Sequence, residues 1–467
     1  MKGYQFEDTQ GTFHLKKAEN ISYLYFPIAG EAGLKSSFTP NLGGDAKIDQ
    51  NTFLLEPVSA ENLVNNRNSR NFWCNVKGIG SWSLTGNAAE ALSKKFTEMQ
   101  DDSEVTAGFM WQKTTRESKK YQLRGEILSF IPVEKNVEVM LVTITNTGRM
   151  AQTVTPTAAI PLYGRSADNI RDHRHVTSLL HRIETTDIGV LVTPTLSFDE
   201  RGHQVNHMTY YCVGWSGNGE KPVDFYPTAE DFVGEGGNFE RPYAIVKNAE
   251  GVKAGTRIEG LEAVGGLHFS EVTLEPEEEC SYLIFTGITE DIQEIRNLSK
   301  TYTTREMVLE ELEKTKAYWQ EKVNVAYHTG DSDFNQFMHW VSFQPILRRI
   351  YGCSFLPHHD YGKGGRGWRD LWQDCLALLI MNPDGVRQML LDNFAGVRVD
   401  GSNATIIGSK QGEFVADRNN ITRVWMDHGV WPMITTKFYI DQTGDLELLE
   451  NCLLYTSDAA DDLTRVD

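Results

Sequence analysis

A carboxylate-rich segment from Gly367 to Asp374 opens a predicted helix in the second half of the chain. At a helix start, Asp370, Gln373 and Asp374 are three and four residues apart and share one face. Carboxylates and amides held on one face suit the vicinal hydroxyls of a sugar, because burying them without a polar ligand costs free energy. A helix cap with surface ion pairs is the alternative interpretation.

A second candidate group is Asp427, which lies between Trp425 and Trp431. An apolar setting raises the pKa of a carboxyl group towards the range that a general acid needs. The segment therefore predicts that Asp427 donates a proton. Aromatic core packing with a capping aspartate is the alternative interpretation.

The glycine-rich segment 362–367 has the spacing G-x-G-x-x-G. A dinucleotide site needs a strand before this motif and an acidic residue about 20 residues after it. Here His358, His359 and Asp360 come before it, so we expect instead a loop that brings Arg366 close to a ligand. Adjacent histidines point in different directions and no third ligand is near in the sequence, so no metal site is predicted.

The scaffold predicted for residues 1–295 is an antiparallel β-sandwich. Short segments rich in β-branched and aromatic residues alternate there with turn signals. A hairpin is predicted where the strand ending at Asn146 leads into the strand from Gln152. Strands are expected at 23–26, 137–144, 152–157, 189–194 and 281–286.

From residue 296 the hydrophobic pattern changes to helical spacing. Thr304 can cap a helix that begins at Arg305. The pattern predicts a helical linker over 296–328 and a helical domain over 329–451, with helices at 334–351 and 371–394. The linker helix has one apolar face, formed by Val308, Leu309, Leu312, Trp319 and Val323.

Composition narrows the class of protein. The 467 residues carry a net charge of −19, which disfavours a nucleic-acid partner. No run of about 18 apolar residues and no apolar secretory segment is present, so neither a membrane span nor an export signal is predicted. The 6 cysteines are scattered without a CxxC pair, which disfavours a zinc module and predicts a reducing cytoplasm.

The two candidate segments together carry a family resemblance. A glycine-rich loop, Arg-Asp-x-x-Gln-Asp at 369–374 and Trp-x-Asp at 425–427 resemble glycoside hydrolase family 94, the inverting disaccharide phosphorylases. The resemblance implies a β-sandwich, a helical linker and the opening of an (α/α)6 barrel. Residues 24–45 resemble the laminaribiose and β-1,3-oligoglucan members, which favours a β-1,3 linkage.

The resemblance also implies roles for single residues. Asp427 matches the general acid of the family and Trp425 its donor-subsite tryptophan. Asp370 matches the carboxylate that holds the hydroxyls of the donor glucosyl group. Arg366 is the predicted partner arginine, with Lys363 as the rival position.

For the upstream phosphate-binding position, Arg348, Arg349 and Tyr351 are competing candidates. The remaining phosphate ligands of the family lie further downstream. The resemblance implies that inorganic phosphate is a substrate, that no metal or organic cofactor is required, and that the full-length protein is a homodimer.

The predicted activity is the reversible, inverting phosphorolysis of a β-linked glucose disaccharide or oligosaccharide to α-glucose 1-phosphate. Phosphate is already an anion, so this reaction needs an acid but no base to activate water. One alternative is an (α/α)6 glycoside hydrolase, which would need a second carboxylate near Asp427. Another is a non-catalytic carbohydrate-binding protein that uses only the sandwich.

The last segment, residues 452–467, has neither strand nor helix patterning. It matches one reading frame of a sequencing-library adapter, so we expect it to be non-biological. The catalytic barrel would then be truncated after Asn451, and we expect the chain to be inactive by itself.

Overall fold

The computed structural model describes residues 3–21, 24–59, 61–63, 69–199, 202–351, 366–383, 385–397, 403–404, 406–407, 414–415 and 427–451. The described residues form two compact units, a sheet unit up to Tyr318 and a helical unit from Trp319. In this part of the chain, no helix combines the length and apolar character that crossing a bilayer requires.

The strands of the sheet unit are short to medium in length and all pair antiparallel. In chain order they are β1 Tyr4–Phe6, β2 Phe13–Lys16, β3 Phe26–Ala29, β4 Lys35–Phe38, β5 Ala46–Lys47, β6 Phe53–Leu55, β7 Asn71–Val76, β8 Gly80–Ser83, β9 Asp102–Gly108, β10 Trp111–Ser118, β11 Leu123–Phe130, β12 Val137–Asn146, β13 Gln152–Leu162, β14 Arg182–Thr185, β15 Gly189–Val192, β16 Leu196–Asp199, β17 Gly202–Val205, β18 Thr209–Ser216, β19 Asp224–Thr228, β20 Arg257–Glu259, β21 Ala263–His268, β22 Val272–Leu274 and β23 Glu279–Thr289.

The first four helices of the chain are five residues long, and the helices that follow are longer. They are α1 Ala89–Ser93, α2 Arg174–Ser178, α3 Ala229–Val233, α4 Tyr243–Lys247, α5 Ile292–Thr301, α6 Arg305–Lys322, α7 Ser332–Tyr351, α8 Trp368–Met381, α9 Val386–Phe394 and α10 Val430–Thr443. Among its described residues the helical unit also contains three two-residue strands, β24 Arg366–Gly367, β25 Ile406–Ile407 and β26 Phe414–Val415, and a final 3₁₀ turn at Leu446–Glu450.

Two large sheets form the core of the sheet unit. One has the strand order β1-β2-β9-β10-β11-β12-β23-β18-β15-β14-β20, and the other β19-β21-β13-β7-β8 with β22 beside β13. They face each other closely, since a Cβ added at Gly265 of β21 would stand only 2.2 Å from the Cβ of Cys212 on β18. The ring of Phe72 on β7 packs on that of Tyr282 on β23, with centroids 5.3 Å apart.

Helices cover the other face of the larger sheet. Val139 and Leu141 of β12 belong to a buried cluster with Leu298 of α5 and with Val308 and Leu312 of α6. Because β12 and β18 are covered on both faces, both are buried along their whole length. The predicted fold class, an antiparallel sheet domain followed by helices, is therefore confirmed, with the linker helix as a third layer.

Most of the predicted elements are confirmed, including the helix from Arg305, whose Val308 and Trp319 are completely buried. The strand predicted at 23–26 begins too early, because β3 begins at Phe26. The predicted hairpin from Asn146 to Gln152 is also wrong. Both edges of β12 are taken by β11 and β23, so the chain crosses to the other sheet and β13 pairs with β7 and β21.

In the helical unit, the helix predicted at 334–351 is confirmed by α7. The single helix predicted at 371–394 is wrong, because α8 ends at Met381 and α9 begins at Val386. Pro383 lies in the break, and proline lacks the N–H that a continuing helix needs. Gly385 follows with a φ of 79°, a left-handed conformation that glycine adopts readily.

One buried ion pair connects the two sheets. Arg70, directly before β7, is 0% exposed, and its Nη2 bonds at 3.1 Å to Oε2 of Glu138 on β12, which is 1% exposed. Arg70 Nε bonds to the other carboxylate oxygen. Further N–H groups donate to the carbonyls of Gly44 and Asp45. The pair is bidentate and its donors are satisfied, which is the condition for a buried charge to be tolerated.

We expect Arg70→Met to lower the free energy of unfolding of the sheet unit by about 3–5 kcal/mol, because Glu138 is left buried without its partner. Urea denaturation followed by fluorescence measures the change. The control is Lys77→Met, which removes an exposed pair with Glu271 and should change stability by less than about 1 kcal/mol. Arg70→Met/Glu138→Leu should recover most of the loss; a double variant as unstable as the single one would show that the charge is not the cause.

Candidate active site

The start of α8 is anchored by two tryptophans. Trp368 and Trp372 are 1% and 0% exposed and pack edge to face at 5.6 Å. The indole N–H of Trp368 donates to the carbonyl oxygen of His428 at 3.0 Å, and Thr435 of α10 donates to the carbonyl of Trp372 at 3.2 Å. These bonds fix the beginning of α8 against the segment that leads into α10, and between the tryptophans Arg369 is exposed and Asp370 is partly exposed.

The carboxylate of Asp427 lies at this junction and is bound from two helices. Arg369 Nη1, on α8, donates to Asp427 Oδ2 at 3.3 Å. Trp431 Nε1, on α10, donates to the same oxygen at 3.2 Å. Backbone N–H groups of Val430 and Trp431 donate to the Asp427 carbonyl, which joins this residue to the start of α10. The side chain is 41% exposed, which leaves it accessible to a ligand.

The electrostatics of Asp427 differ from the sequence prediction. The hydrogen bond from Trp431 lowers the pKa of this carboxyl group below its ordinary value, and Arg369 adds to the effect, while desolvation acts in the opposite direction. The prediction that neighbouring tryptophans raise this pKa is therefore wrong. Trp431 presents a polar N–H rather than an apolar face, and the half-exposed carboxylate loses little hydration.

Asp370 belongs to the same cluster of charges. It lies in the first turn of α8, where a negative charge is favourable, and its Oδ2 is folded back so that a Cβ at Gly367 would stand 2.7 Å from it. The charges of Asp370, Asp427 and Arg369 all act on His428, whose pKa is lowered mainly by burial. The structure thus brings two predicted site residues, Asp370 and Asp427, together around Arg369 and His428.

Asp374 has a different environment although it follows Asp370 by one helical turn. It is 1% exposed and forms an ion pair with Arg348 of α7. Of the three candidates for the upstream phosphate position, Arg348 therefore holds a buried carboxylate, and Tyr351 is buried. The buried pair also makes Asp374 less suited than Asp427 to act as the acid.

Several predicted positions lie outside the described residues: Trp425, Lys363 and the segment 452–467. Arg366 is described only through its backbone in β24, which pairs with β25. Among the described residues, no three His, Cys, Asp or Glu side chains gather as a metal ion would need.

The site includes Arg369 and His428, to which sequence reasoning gave no individual role, and Trp431, which it treated only as an apolar neighbour of Asp427 and not as a hydrogen-bond donor. A usable signal was present for Trp431, because it follows Asp427 by four residues and so lies on the same side of the first helical turn. For Arg369 no such signal exists, since its partner is 58 positions away.

Two models of protein domains match this chain. The model of the glycosyl hydrolase 94 supersandwich domain matches residues 59–305, and that of the glycosyl hydrolase 94 superfamily catalytic domain matches residues 318–464. The class is thus that of carbohydrate-active enzymes with a sheet domain ahead of a helical catalytic domain. The chain belongs to glycosyl hydrolase family 94, and the predicted resemblance is confirmed.

Individual relatives are distant. Cyclic beta-(1,2)-glucan synthase NdvB of Rhizobium meliloti (strain 1021) is 25% identical over 254 residues, 51% of this chain and 8% of that protein. The 3-O-beta-D-glucopyranosyl-beta-D-glucuronide phosphorylase of Paenibacillus borealis is 26% identical over 234 residues, 49% of this chain and 28% of that protein. The match thus spans well under a third of either relative's length.

A solved structure shares the fold. "Putative kojibiose phosphorylase from human microbiome" superposes with a TM-score of 0.50 at 9% identity, over 95% of this chain and 58% of that chain. At this identity the likeness shows the architecture alone.

We expect Trp431→Phe to raise the pKa of Asp427 towards its ordinary value, because the ring is kept and the N–H is lost. Since the folded-state pKa is depressed, ionised Asp427 stabilises the fold above the ordinary aspartate pKa, and this contribution is lost as pH falls through the depressed value. The variant should therefore lose less stability on acidification. Carboxyl ¹³C NMR titration measures the pKa. Tyr439→Phe is the control, because it removes the hydroxyl donor of Asp445 and should move that titration only. An unchanged Asp427 titration would contradict the assignment.

Proposed function

We propose that this chain serves the inverting phosphorolysis of a β-linked glucose disaccharide or oligosaccharide, giving α-glucose 1-phosphate. The observation that carries the proposal is the Asp427 carboxylate, held by Arg369 and Trp431 beside Asp370 within the part matched by the family's catalytic domain. The phosphorylase among the relatives supports the reaction class.

The proposed roles follow from the positions of the two carboxylates. Asp427, in its protonated form, donates its proton to the glycosidic oxygen as the bond from that oxygen to C1 breaks. An oxygen of phosphate forms the new bond to C1 from the opposite face, which inverts the configuration. The acceptor sugar leaves with the proton from Asp427. Asp370 accepts hydrogen bonds from hydroxyls of the donor glucosyl group, and charge-assisted bonds of this kind are strong enough to orient it.

Several finer statements belong to the proposal. Trp425 and Arg366 complete the donor subsite, a β-1,3 linkage is favoured by the resemblance of residues 24–45, and phosphate is a substrate rather than a cofactor. The enzyme is proposed to be cytoplasmic and homodimeric. Sedimentation of the full-length enzyme at micromolar concentration tests the dimer, which a monomer would contradict.

Phosphate dependence separates this proposal from the hydrolase alternative. The full-length enzyme should cleave laminaribiose only when phosphate is added, and ¹H NMR should show α-glucose 1-phosphate as the first product. A hydrolase would release free glucose without phosphate, with a second carboxylate activating water at a spacing of about 6.5–9.5 Å from the acid. Binding without turnover would favour a carbohydrate-binding protein.

We expect Asp427→Asn to lower disaccharide phosphorolysis about 10²–10⁴-fold, because the amide keeps the shape but cannot donate the acidic proton. The second substrate is β-glucosyl fluoride. Its activated leaving group needs less protonation, so the substitution should lower its phosphorolysis less than that of the disaccharide. Asp445→Asn is the matched control, since Asp445 is also bound by an arginine and an aromatic side chain. Near-normal disaccharide phosphorolysis by Asp427→Asn would reject the acid assignment.

We expect Asp370→Asn to impair both substrates to a similar degree, because it weakens binding of the glucosyl group in the ground state and in the transition state. Steady-state kinetics with the disaccharide and with β-glucosyl fluoride measures this. A loss confined to the disaccharide would instead assign the proton donor to Asp370.

A further inference from the structure

The hydrogen bonds of Asp427 raise a problem for its proposed role. Both side-chain bonds reach the same oxygen, Oδ2, from Arg369 at 3.3 Å and from Trp431 at 3.2 Å. A guanidinium and an indole N–H can only donate hydrogen bonds. A proton on Oδ2 would therefore face two donors and find no acceptor. Asp427 cannot carry its proton on this oxygen while both bonds are in place.

The charged surroundings favour the same state. The charged group that acts on Asp427 is Arg369 on α8, and the charges of Arg369, Asp370 and Asp427 act in turn on His428. Burial lowers the pKa of His428, which favours a neutral imidazole, so Arg369 is the cation in this set. The ligand-free arrangement thus holds Asp427 as an anion, although an acid must be protonated before it reacts.

Of the two donors, Arg369 is the one able to leave. Its side chain is 48% exposed and extends from the first turn of α8, whereas Trp431 lies within α10 and is partly buried. An exposed arginine–carboxylate pair has a small net stability, so a stronger anion can compete for the guanidinium. The proposed co-substrate, phosphate, is such an anion, and arginine binds phosphate with bidentate geometry.

Resting on the proposed function, we propose that Arg369 is a positioning residue that holds Asp427 ionised in the free enzyme and transfers its guanidinium to phosphate when phosphate binds, so that Asp427 takes up its proton only with phosphate present. The proton comes from solvent: an O–H bond forms on the Asp427 carboxylate and an O–H bond of hydronium breaks, releasing water. Asp427 then passes this proton to the glycosidic oxygen. This movement of Arg369 from Asp427 to phosphate explains how the site restrains transfer of the glucosyl group to water when phosphate is absent.

A second arginine–aspartate pair in the same unit supplies a matched control. Asp445 Oδ2 accepts from Arg387 Nε at 2.9 Å and from the Tyr439 hydroxyl at 2.8 Å, and Asp445 Oδ1 caps the final turn at the N–H of Leu448. Asp445 is thus bound by an arginine and an aromatic side chain through one carboxylate oxygen, as Asp427 is bound by Arg369 and Trp431. Arg387→Met therefore reports what the loss of such a pair does when its role is structural.

The first experiment compares Arg369→Met and Arg387→Met in the full-length enzyme. Phosphorolysis requires protonated Asp427, so kcat/KM falls as pH rises through its free-enzyme pKa. Removing Arg369 should move this alkaline limb up by about one pH unit and raise the KM for phosphate about tenfold. Arg369→Lys should restore part of both effects, and Arg387→Met should change neither. The proposal is overturned if the alkaline limb of the pH profile does not move in Arg369→Met. It is also overturned if the limb moves but the KM for phosphate is unchanged.

A second measurement does not depend on turnover. In the full-length enzyme, inorganic phosphate should raise the pKa of Asp427 in carboxyl ¹³C NMR titrations, with chloride at equal ionic strength as the control for screening. In Arg369→Met the pKa should be raised already and phosphate should add nothing. If phosphate and chloride change the pKa of Asp427 equally, Arg369 does not move from Asp427 to phosphate and the proposal is overturned. If Asp427→Asn keeps full activity, it is the proposed function that fails, whatever Arg369 does.

Discussion

The hydrogen bond from the buried indole of Trp368 to the carbonyl of His428 is the contact on which the candidate site depends. It joins two residues that are 60 positions apart in the chain. Arg369 follows Trp368 in the chain, and Asp427 precedes His428. The bond therefore sets the distance between the guanidinium and the carboxylate, while the neighbouring Trp372 and Thr435 keep α8 and α10 in register.

The aspartates of the helical unit differ in how they are held. Asp374 is almost completely buried against Arg348. Asp445 accepts hydrogen bonds from Arg387 and Tyr439 and caps the last turn. Asp427 is more exposed, and its side-chain bonds converge on one oxygen. Structural carboxylates lose their function if they become protonated. A carboxylate that supplies a proton must instead be held by partners that can be exchanged, and an exposed arginine is such a partner.

Much of the architecture could be predicted from the sequence, because strand and helix periodicity are local properties. The strands at Val137 and Ser281 and the helix from Arg305 follow from the pattern of apolar residues. Pairing is not local: β12 has its edges occupied by β11 and β23, and nothing near Asn146 encodes that competition. The break at Pro383 was readable from the proline itself.

For the site, residue types identified Asp370 and Asp427, and the structure places both in one cluster. The direction of the Asp427 pKa could not be predicted, because a tryptophan is apolar on its face and polar at its N–H, and only the rotamer decides which of these meets the carboxylate. The contact with Arg369 depends on how α8 lies beside α10. Such a long-range contact leaves no periodic trace in a single sequence.

The order of the strands in the larger sheet has a consequence for synthesis on the ribosome. Strand β12 ends at Asn146, but one of its two partners, β23, begins only at Glu279. At elongation rates of roughly 5–20 residues per second, this partner emerges on the order of ten seconds later. During that interval one edge of a strand that is wholly buried in the folded protein has no partner, and Glu138 on it already needs Arg70 for charge balance. The nascent chain is thus exposed to strand-to-strand association between neighbouring ribosomes, and chaperone capture of the segment between β12 and β23 would determine the yield of folded protein.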